Sequence, residues 1–256
     1  MKITHIYYEE IDSTNNEIKR LIENNILEGT VVSAGTQTAG RGRSGHDWES
    51  PKNVSVATSM VLYPKTIKME HLPRITLLAA VAVAKAVESL YDLKTEIKWP
   101  NDILVHKKKI CGILTEMEAK ANTVENVVVG IGVNVHNTSF PKELVDKAIS
   151  LDMALEEDQR SHLKTHCKDV TEEIWKQFAA LYENFLRTED LTDILEYYNA
   201  RLVNKNRQVR ILDPKGAYEA VAKEMLPTGE LLVEVDGEYK KIDSGEVSVR
   251  GIYGYV

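Results

Sequence analysis

This sequence is poor in the features that mark secreted, membrane and metal-binding proteins. Its 256 residues include only two cysteines, Cys111 and Cys167, too few for a disulfide framework or a thiolate metal site. The first residues lack the apolar stretch of a signal peptide, and no run of about 18 apolar residues predicts a membrane span. We therefore expect a cytoplasmic protein that is not attached to a membrane.

An excess of positive charge is missing as well. The formal net charge is -7 at pH 7, which argues against wide nonspecific binding of nucleic acid, although a local basic patch is compatible with it. The sequence contains no internal repeat and no low-complexity tract. Hydrophobic residues make up 43% of the chain, as is usual for a globular protein. This length predicts one large domain, or a domain with a small module.

The pattern of apolar residues changes twice along the chain. Short strands and two helices alternate up to residue 134, polar helices follow, and from about residue 205 short strands separated by turns predict a small β-barrel. We expect the division between two parts of the chain to fall between residues 1–204 and 205–256. The longer predicted helices cover residues 72–90, 143–155, 165–186 and 191–201.

A loop rich in glycine and arginine is the most informative local feature. Residues 36–45 place Arg41 and Arg43 among three glycines. Glycine lets backbone amides approach a ligand closely, and the arginine fork suits phosphate or carboxylate. The spacing matches neither a Walker loop nor the dinucleotide-binding fingerprint. Taken alone, the segment predicts either an anion-binding loop or a solvated turn with two surface arginines.

Four further motifs accompany this loop. They are Ser-Thr-Asn at 13–15, Lys-Trp-Pro-Asn-Asp at 98–102, Gly-Ile-Gly-Val-Asn at 130–134 and Gly-Glu-Val-Ser-Val-Arg-Gly at 245–251. In this order and approximate spacing, the chain resembles the biotin–protein ligase family over almost its whole length. Each motif alone is weak evidence, whereas the ordered set is specific.

The resemblance implies an enzyme that forms biotinyl-5'-AMP from biotin and ATP, with Mg²⁺. The biotinyl group would then pass to a lysine of a biotin carboxyl carrier protein domain of an acyl-CoA carboxylase. The implied fold is α/β: a mixed central sheet flanked by helices in residues 1–204, followed by a small SH3-like β-barrel in residues 205–256. A homodimer through sheet edges is compatible with this family. Because the chain begins at the Ser-Thr-Asn region, we expect no DNA-binding domain and no sequence-specific DNA binding.

The resemblance also implies a biotin site. From the residues alone, the Ser-Thr-Asn group could instead only cap a helix, and Gln37 could be an exposed strand-end residue rather than a ureido partner. The two glycines of the 130–134 segment could form a β-bulge without any ligand. The implied biotin-binding residues are Ser13, Thr14, Asn15, Gln37, Arg41, Gly42, Arg43, Lys98, Gly112, Gly130 and Gly132.

Lys98 and Arg43 are the candidate catalytic residues. Lys98 precedes Trp-Pro, so its backbone should be extended, and its ammonium could stabilise charge on the α-phosphoryl group and the acyl oxygen. An ordinary strand-edge lysine is the alternative. Asp102 could orient Lys98, help to hold Mg²⁺ or form a turn. The implied nucleotide-binding residues are Arg43, Trp48, Lys98 and Asn134, with Trp48 over the adenine and Asn134 at its edge.

Two other functions fit part of these observations. A lipoate or octanoate ligase shares the broad fold, but the Gly-Arg-Gly-Arg loop and the Lys-Trp-Pro-Asn-Asp segment favour biotin. A biotinyl-adenylate-binding regulator is the second alternative, and the negative net charge argues against it. Ser44 and His46 stand where the family often carries basic residues. The resemblance therefore says least about how the site would bind the triphosphate of ATP.

Overall fold

A computed structural model of the chain describes residues 1–120, 123–213, 216–244 and 248–251. The strands are β1 Thr4–Ile11, β2 Thr30–Gln37, β3 Ser55–Leu62, β4 Glu96–Lys98, β5 Asp102–Val105, β6 Lys108–Lys120, β7 Thr123–Asn134, β8 Gln208–Leu212, β9 Tyr218–Met225, β10 Leu231–Val235, β11 Glu238–Ile242 and β12 Ser248–Gly251. The α-helices are α1 Thr14–Ile22, α2 Arg74–Tyr91, α3 Leu151–Ala154, α4 Glu157–His162, α5 Cys167–Thr188 and α6 Thr192–Arg201. Short 3-10 turns lie at Arg43–Gly45 and Met69–His71.

The first seven strands form one mixed sheet in the order β1-β2-β3-β7-β6-β5-β4. β1 pairs with β2 in parallel, and the other neighbours pair antiparallel. Every residue of β3 is buried, because helices cover both faces. Side chains on one face pack in a cluster with α1 around Ile18, and those on the other pack against α2 and α5. The α/β fold with a mixed, helix-flanked sheet is therefore confirmed.

The two long helices follow their sequence patterns closely. α2 is apolar around most of its circumference and is buried accordingly, as predicted for residues 72–90. α5 buries a stripe that includes Val170, Ile174, Phe178 and Phe185, with Trp175 donating from Nε1 to Thr58 Oγ1 at 2.9 Å. This stripe recurs at steps of three or four residues, which is the spacing that predicted the helix.

The predicted helix at residues 143–155 is wrong, since only Leu151–Ala154 is helical there. The backbone hydrogen bonds explain the difference. Lys109 N donates to Lys147 O at 2.8 Å, and Ile149 N donates to Lys109 O at 3.0 Å. The segment thus bonds to the start of β6 instead of to itself, while α4 is a helix that the sequence pattern did not indicate.

The C-terminal strands form a five-stranded antiparallel sheet in the order β11-β10-β9-β8-β12. Within the described residues its outer strands β11 and β12 do not pair, so the part predicted as a small SH3-like β-barrel is an antiparallel sheet that does not close. The edge strand β11 is mostly exposed and carries Lys240 and Lys241, which is a common protection of an unpaired edge. Residues 245–247 of the terminal motif lie outside the described residues.

The two sheets share one apolar core. Val209, Leu231 and Val233 of the second sheet belong to the same buried cluster as α2 and the first sheet. Trp99 is a core residue and donates from Nε1 to Gly229 O at 3.2 Å. The division at residues 204 and 205 stays a prediction. None of the helices in the described part of the chain is long and apolar enough to cross a membrane.

Candidate functional site

A pocket lies on the α1 face of the seven-stranded sheet, beneath the Gly/Arg loop (residues 38–49). Most of the residues predicted for the site line it together: Ser13, Thr14, Asn15, Gln37, Arg41, Gly42, Arg43, Trp48, Gly112, Gly130 and Gly132. Asn101, Lys109, Ile113, Leu114 and Ile131 also contribute to the lining. Four separate sequence motifs therefore meet at one place.

The start of α1 forms the polar end of the pocket. Ser13 occupies the N-cap position, but its side chain makes no capping hydrogen bond. The carbonyl oxygen of Gln37 replaces it, accepting from Thr14 N at 2.8 Å and Thr14 Oγ1 at 3.1 Å. Ser13 lines the pocket and does not cap α1 through its side chain, so the capping alternative has no support here, while its role toward a ligand stays a prediction. Gln37 is likewise engaged in the site, and it is not an exposed strand end.

Asn15 lies directly over the strand glycine Gly130. Its Oδ1 accepts from Ser59 Oγ at 2.6 Å, and its Nδ2 donates to Glu116 Oε2 at 2.7 Å. A Cβ atom added to Gly130 would lie 2.2 Å from Asn15 Oδ1. Gly130 sits in continuous ladder pairing, so a close approach explains this glycine and a bulge does not.

Arg41 connects the Gly/Arg loop to α1 and β6. Its Nη2 donates to Asn16 Oδ1 at 2.7 Å and lies 3.2 Å from Glu116 Oε2. Lys19 Nζ donates to the other oxygen of Glu116 at 2.9 Å. Burial raises the pKa of Glu116, but the hydrogen bonds from Lys19 and Asn15 and the nearby cations outweigh it and leave the pKa below its ordinary value. Glu116 is therefore ionised, and its carboxylate links the Gly/Arg loop to α1.

Arg43 connects the same loop to two other segments. Its Nη1 donates to Asn101 Oδ1 at 3.0 Å, and its Nη2 donates to Ser244 O at 2.8 Å. Burial lowers the pKa of Arg43, with Asp102 opposing, yet a guanidinium keeps its charge in proteins. Arg43 thus places a half-buried positive charge where the loop, the turn after β4 and the turn after β11 meet.

Trp48 lies on two glycines that face each other across β6 and β7. Gly112 and Gly132 are directly paired, and a Cβ atom on Gly132 would lie 2.3 Å from Trp48 Cε2. Lys109 Nζ lies 5.5 Å from the centre of the indole and 2.7 Å from Asp102 Oδ1. The buried indole Nε1 has no hydrogen-bond partner. The indole ring is therefore held by its close packing on the two glycines and by the nearby Lys109 ammonium.

The indole nearly fills the pocket. The remaining open space is about 50 Å³, whereas pockets for small ligands usually enclose about 300–1000 Å³. A ligand larger than a few water molecules would therefore have to displace Trp48 or lift the Gly/Arg loop.

Lys98 and Asn134 lie beside this pocket and are not part of its lining. Lys98 is buried, and it faces Asp102, which in turn faces Gly112. Opposite residues share a face, so Lys98 stands on the pocket side about 10 Å from Gly112. Asn134 ends β7 and donates from Nδ2 to Ile149 O at 3.4 Å. Their roles stay predictions.

Several residues of the site were not singled out by sequence reasoning. Glu116, Asn16, Asn101 and Ser59 make hydrogen bonds to predicted site residues. Asn101 belongs to the Lys-Trp-Pro-Asn-Asp segment, which is a signal that could have identified it. The others meet their partners only through the fold. In the described ranges, no three His, Cys, Asp or Glu side chains are grouped to hold a metal ion.

Known proteins resemble this chain in sequence and structure. The Biotin/lipoate A/B protein ligase family matches residues 7–134. The chain is 37% identical over 246 residues to the "Bifunctional ligase/repressor BirA" of Bacillus spizizenii, covering 95% of this chain and 73% of that protein. It is 27% identical over 226 residues to the "Biotin--[acetyl-CoA-carboxylase] ligase" of Mycobacterium tuberculosis, covering 86% and 79%. The biotin protein ligase from Aquifex aeolicus in complex with biotin and ATP superposes with a TM-score of 0.80 at 27% identity, over 97% and 99% of the two chains.

Proposed function

The chain belongs to the biotin–protein ligase family, and we propose that it makes biotinyl-5'-AMP from biotin and ATP and biotinylates a carrier lysine. The carrier would be the biotin carboxyl carrier protein domain of an acyl-CoA carboxylase. The observation that carries this proposal is the composition of the pocket. The pocket combines a neutral polar end, a bottom made of glycine residues and two arginines of the Gly/Arg loop.

The polar end suits the ureido ring of biotin. This ring is neutral and needs both donors and an acceptor, which the Ser13 hydroxyl, the Thr14 hydroxyl and the Gln37 amide supply. The floor formed by Gly112 and Gly132 has no side chains, so a flat group could approach the backbone there. An adenine ring in that place would take up contacts that the Trp48 indole makes with the two glycines.

Adenylation joins two anions, so the protein must supply positive charge. The biotin carboxylate attacks the α-phosphorus of ATP, and pyrophosphate leaves. Arg43 and Lys98 are the cations we expect to stabilise the charge that develops on the α-phosphoryl oxygens. Holding the two substrates in line supplies most of the remaining rate.

Transfer needs no enzyme nucleophile. The amine of the carrier lysine attacks the acyl carbon of the adenylate, and AMP leaves. The thiols of this chain do not suit such a role: burial raises the pKa of Cys111, and its side chain is fully enclosed. Cys167 belongs to α5, on the opposite face of the sheet from the pocket.

Mg²⁺ fits this site as part of the ATP substrate. Two carboxylates beside the pocket are already paired, Asp102 with Lys109 at 2.7 Å and Glu116 with Lys19 at 2.9 Å. Mg²⁺ is usually held by substrate phosphates with one or two carboxylates. An ion carried by ATP would need at most one of them, for which Asp102 is the candidate.

The remaining expectations follow from the bulk properties. Both cysteines are free, which suits a reducing compartment such as the cytoplasm. The net charge of -7 argues against wide nonspecific binding of nucleic acid, and the absence of sequence-specific DNA binding stays a prediction. A homodimer stays a prediction.

A purified-protein assay tests the proposal. The protein is incubated with ATP and biotin, lipoate or octanoate, together with a carrier domain or its Lys→Arg variant at the acceptor position. Of the three acids, we expect only biotin to be attached, and only to the carrier that retains its acceptor lysine. Pyrophosphate should be released in the same reaction. Labelling with lipoate or octanoate in its place would favour the alternative ligase. Adenylate formation without any transfer would favour the regulator.

A further inference from the structure

We propose that Glu116 is a positioning residue, which orients the Asn15 amide and holds Arg41 over the pocket. The inference rests on the proposed function, since Asn15 and Arg41 are expected to contact biotin. Glu116 itself is not part of the pocket lining. Its contacts reach the α1 start and the Gly/Arg loop, which are about 100 and 75 residues away in the sequence.

The chemistry of a carboxylate determines which way the Asn15 amide faces. An ionised carboxylate accepts hydrogen bonds and cannot donate them. The Asn15 group that faces Glu116 at 2.7 Å must therefore be the Nδ2 donor. The carbonyl Oδ1 is then forced to the other side, where Ser59 Oγ donates to it at 2.6 Å and Gly130 leaves room.

The same carboxylate holds Arg41. Both Glu116 oxygens lie within 3.3 Å of Arg41 Nη2, and Asn16 accepts from that nitrogen at 2.7 Å. Arg41 is otherwise an exposed loop residue, so these contacts are what keep its side chain above α1. Without them, ordering the loop around a ligand would cost the conformational entropy of a glycine-rich segment.

Lys19 completes the arrangement. It pairs with Glu116 Oε1 at 2.9 Å from the next turn of α1, so two cations share one carboxylate. If an anionic intermediate draws Arg41 away, Glu116 still has Lys19 as a partner. Its charge stays neutralised, and the Asn15 orientation is kept while the loop moves.

Two substitutions separate this role from simple packing. Glu116→Gln keeps the size of the side chain, but an amide can both donate and accept, so Asn15 is free to turn over. Glu116→Asp shortens the side chain but keeps an acceptor-only carboxylate. We expect biotin affinity to fall about tenfold or more in Glu116→Gln, the effect of losing charged hydrogen bonds, and to fall less in Glu116→Asp. A packing role predicts the opposite order.

Glu118 offers a matched control. It lies two residues further along β6 on the same face and accepts from Asn126 Nδ2 at 2.9 Å, away from the pocket. We expect Glu118→Gln to bind biotin like the wild type.

The experiment measures biotin binding by calorimetry, at a temperature where thermal unfolding curves show each variant to be native. KM values for biotin and ATP are compared in parallel. We expect the KM for biotin to rise more than kcat falls. If Glu116→Gln binds biotin as well as the wild type or Glu116→Asp does, the inference is wrong. If the wild type itself binds no biotin, the proposed function is what fails.

Discussion

The Trp48 indole occupies the space that any side chain at Gly132 would need, since an added Cβ atom would lie 2.3 Å from Trp48 Cε2. The glycine opposite, Gly112, leaves more room, with 3.1 Å to Trp48 Cζ3. The resemblance implied Trp48 as a cover for adenine and Gly112 and Gly132 as part of the biotin site. In the fold the Trp48 ring lies directly on this glycine pair, and the roles toward a ligand stay predictions.

Substitution of this pair should give a graded result. In Gly132→Ala the indole must move, so we expect adenylate formation to fall at least tenfold and unfolding to be easier by about 1–3 kcal/mol, the usual cost of overpacking. Gly112→Ala meets mainly the flexible end of Lys109 and should change activity only a few-fold. Pyrophosphate release, tryptophan emission and thermal unfolding give the readouts. Unchanged emission and activity in Gly132→Ala would contradict the placement of the ring.

Lys98 is expected to act on the reacting phosphoryl group. Loss of one preorganised charge commonly lowers kcat about a hundredfold, and we expect this for Lys98→Ala in pyrophosphate release. The exposed Lys94, four residues earlier, provides Lys94→Ala as a control that should retain activity. A folded Lys98→Ala protein with nearly normal release would rule out a catalytic role for this lysine.

Arg43 is expected to retain the adenylate. Arg43→Gly removes the hydrogen bonds to Asn101 and to the Ser244 carbonyl together with the positive charge, so the loop should open more readily. The reactive intermediate should then escape and biotinylate lysines of a bystander protein. Asn101→Ala removes one of the two bonds and should cause less stray labelling. Equal stray labelling by wild type and Arg43→Gly would mean that this loop does not enclose the intermediate.

Glu88 should make stability depend on pH. Burial raises its pKa, but hydrogen bonds from Arg201, Thr95 and Tyr197 outweigh this, so the pKa in the folded protein lies below the ordinary value. Its stabilising effect is therefore present above the unfolded-state pKa of about 4.3 and is lost as the pH falls through the folded-state pKa. Glu88→Gln should cost about 1.5–3 kcal/mol at pH 7.

The test compares urea unfolding of wild type and Glu88→Gln between pH 7 and pH 3. The difference between the two proteins should shrink toward acid. Glu125→Gln, at an exposed position of β7, should show no such trend. A constant difference across this range would show that the Glu88 carboxylate is not the stabilising form.

The parts of the fold that the sequence predicted well are those with strong local patterns. α2 and α5 carry apolar stripes long enough to define a helix. Residues 143–155 were also predicted to form a helix, but Lys147 and Ile149 form backbone hydrogen bonds with Lys109 instead. The sequence of that segment cannot show that β6 competes with the helix for its backbone hydrogen bonds, because β6 is more than thirty residues away.

The residues of the site divide in the same way, into those marked by a local motif and those brought together only by the fold. Motifs that resemble a known family identified Ser13, Gln37 and Arg43 as site residues. Such motifs mark residues that lie close together in the folded proteins of the family. Glu116 had no comparable signal, although it contacts Asn15 and Arg41 directly. An acidic residue on a half-buried strand is ordinary in itself, and only the meeting of β6 with α1 and the Gly/Arg loop makes it part of the site.

The acceptor that Arg43 finds in the turn after β11 is the main-chain oxygen of residue 244. A main-chain acceptor is present whatever amino acid stands there, so alanine scanning of that turn would leave the bond intact and report the position as unimportant. Selection should accordingly leave the residue type at 244 free to drift while constraining the path of the chain through it. In this turn, insertions and deletions should be tolerated far less well than substitutions.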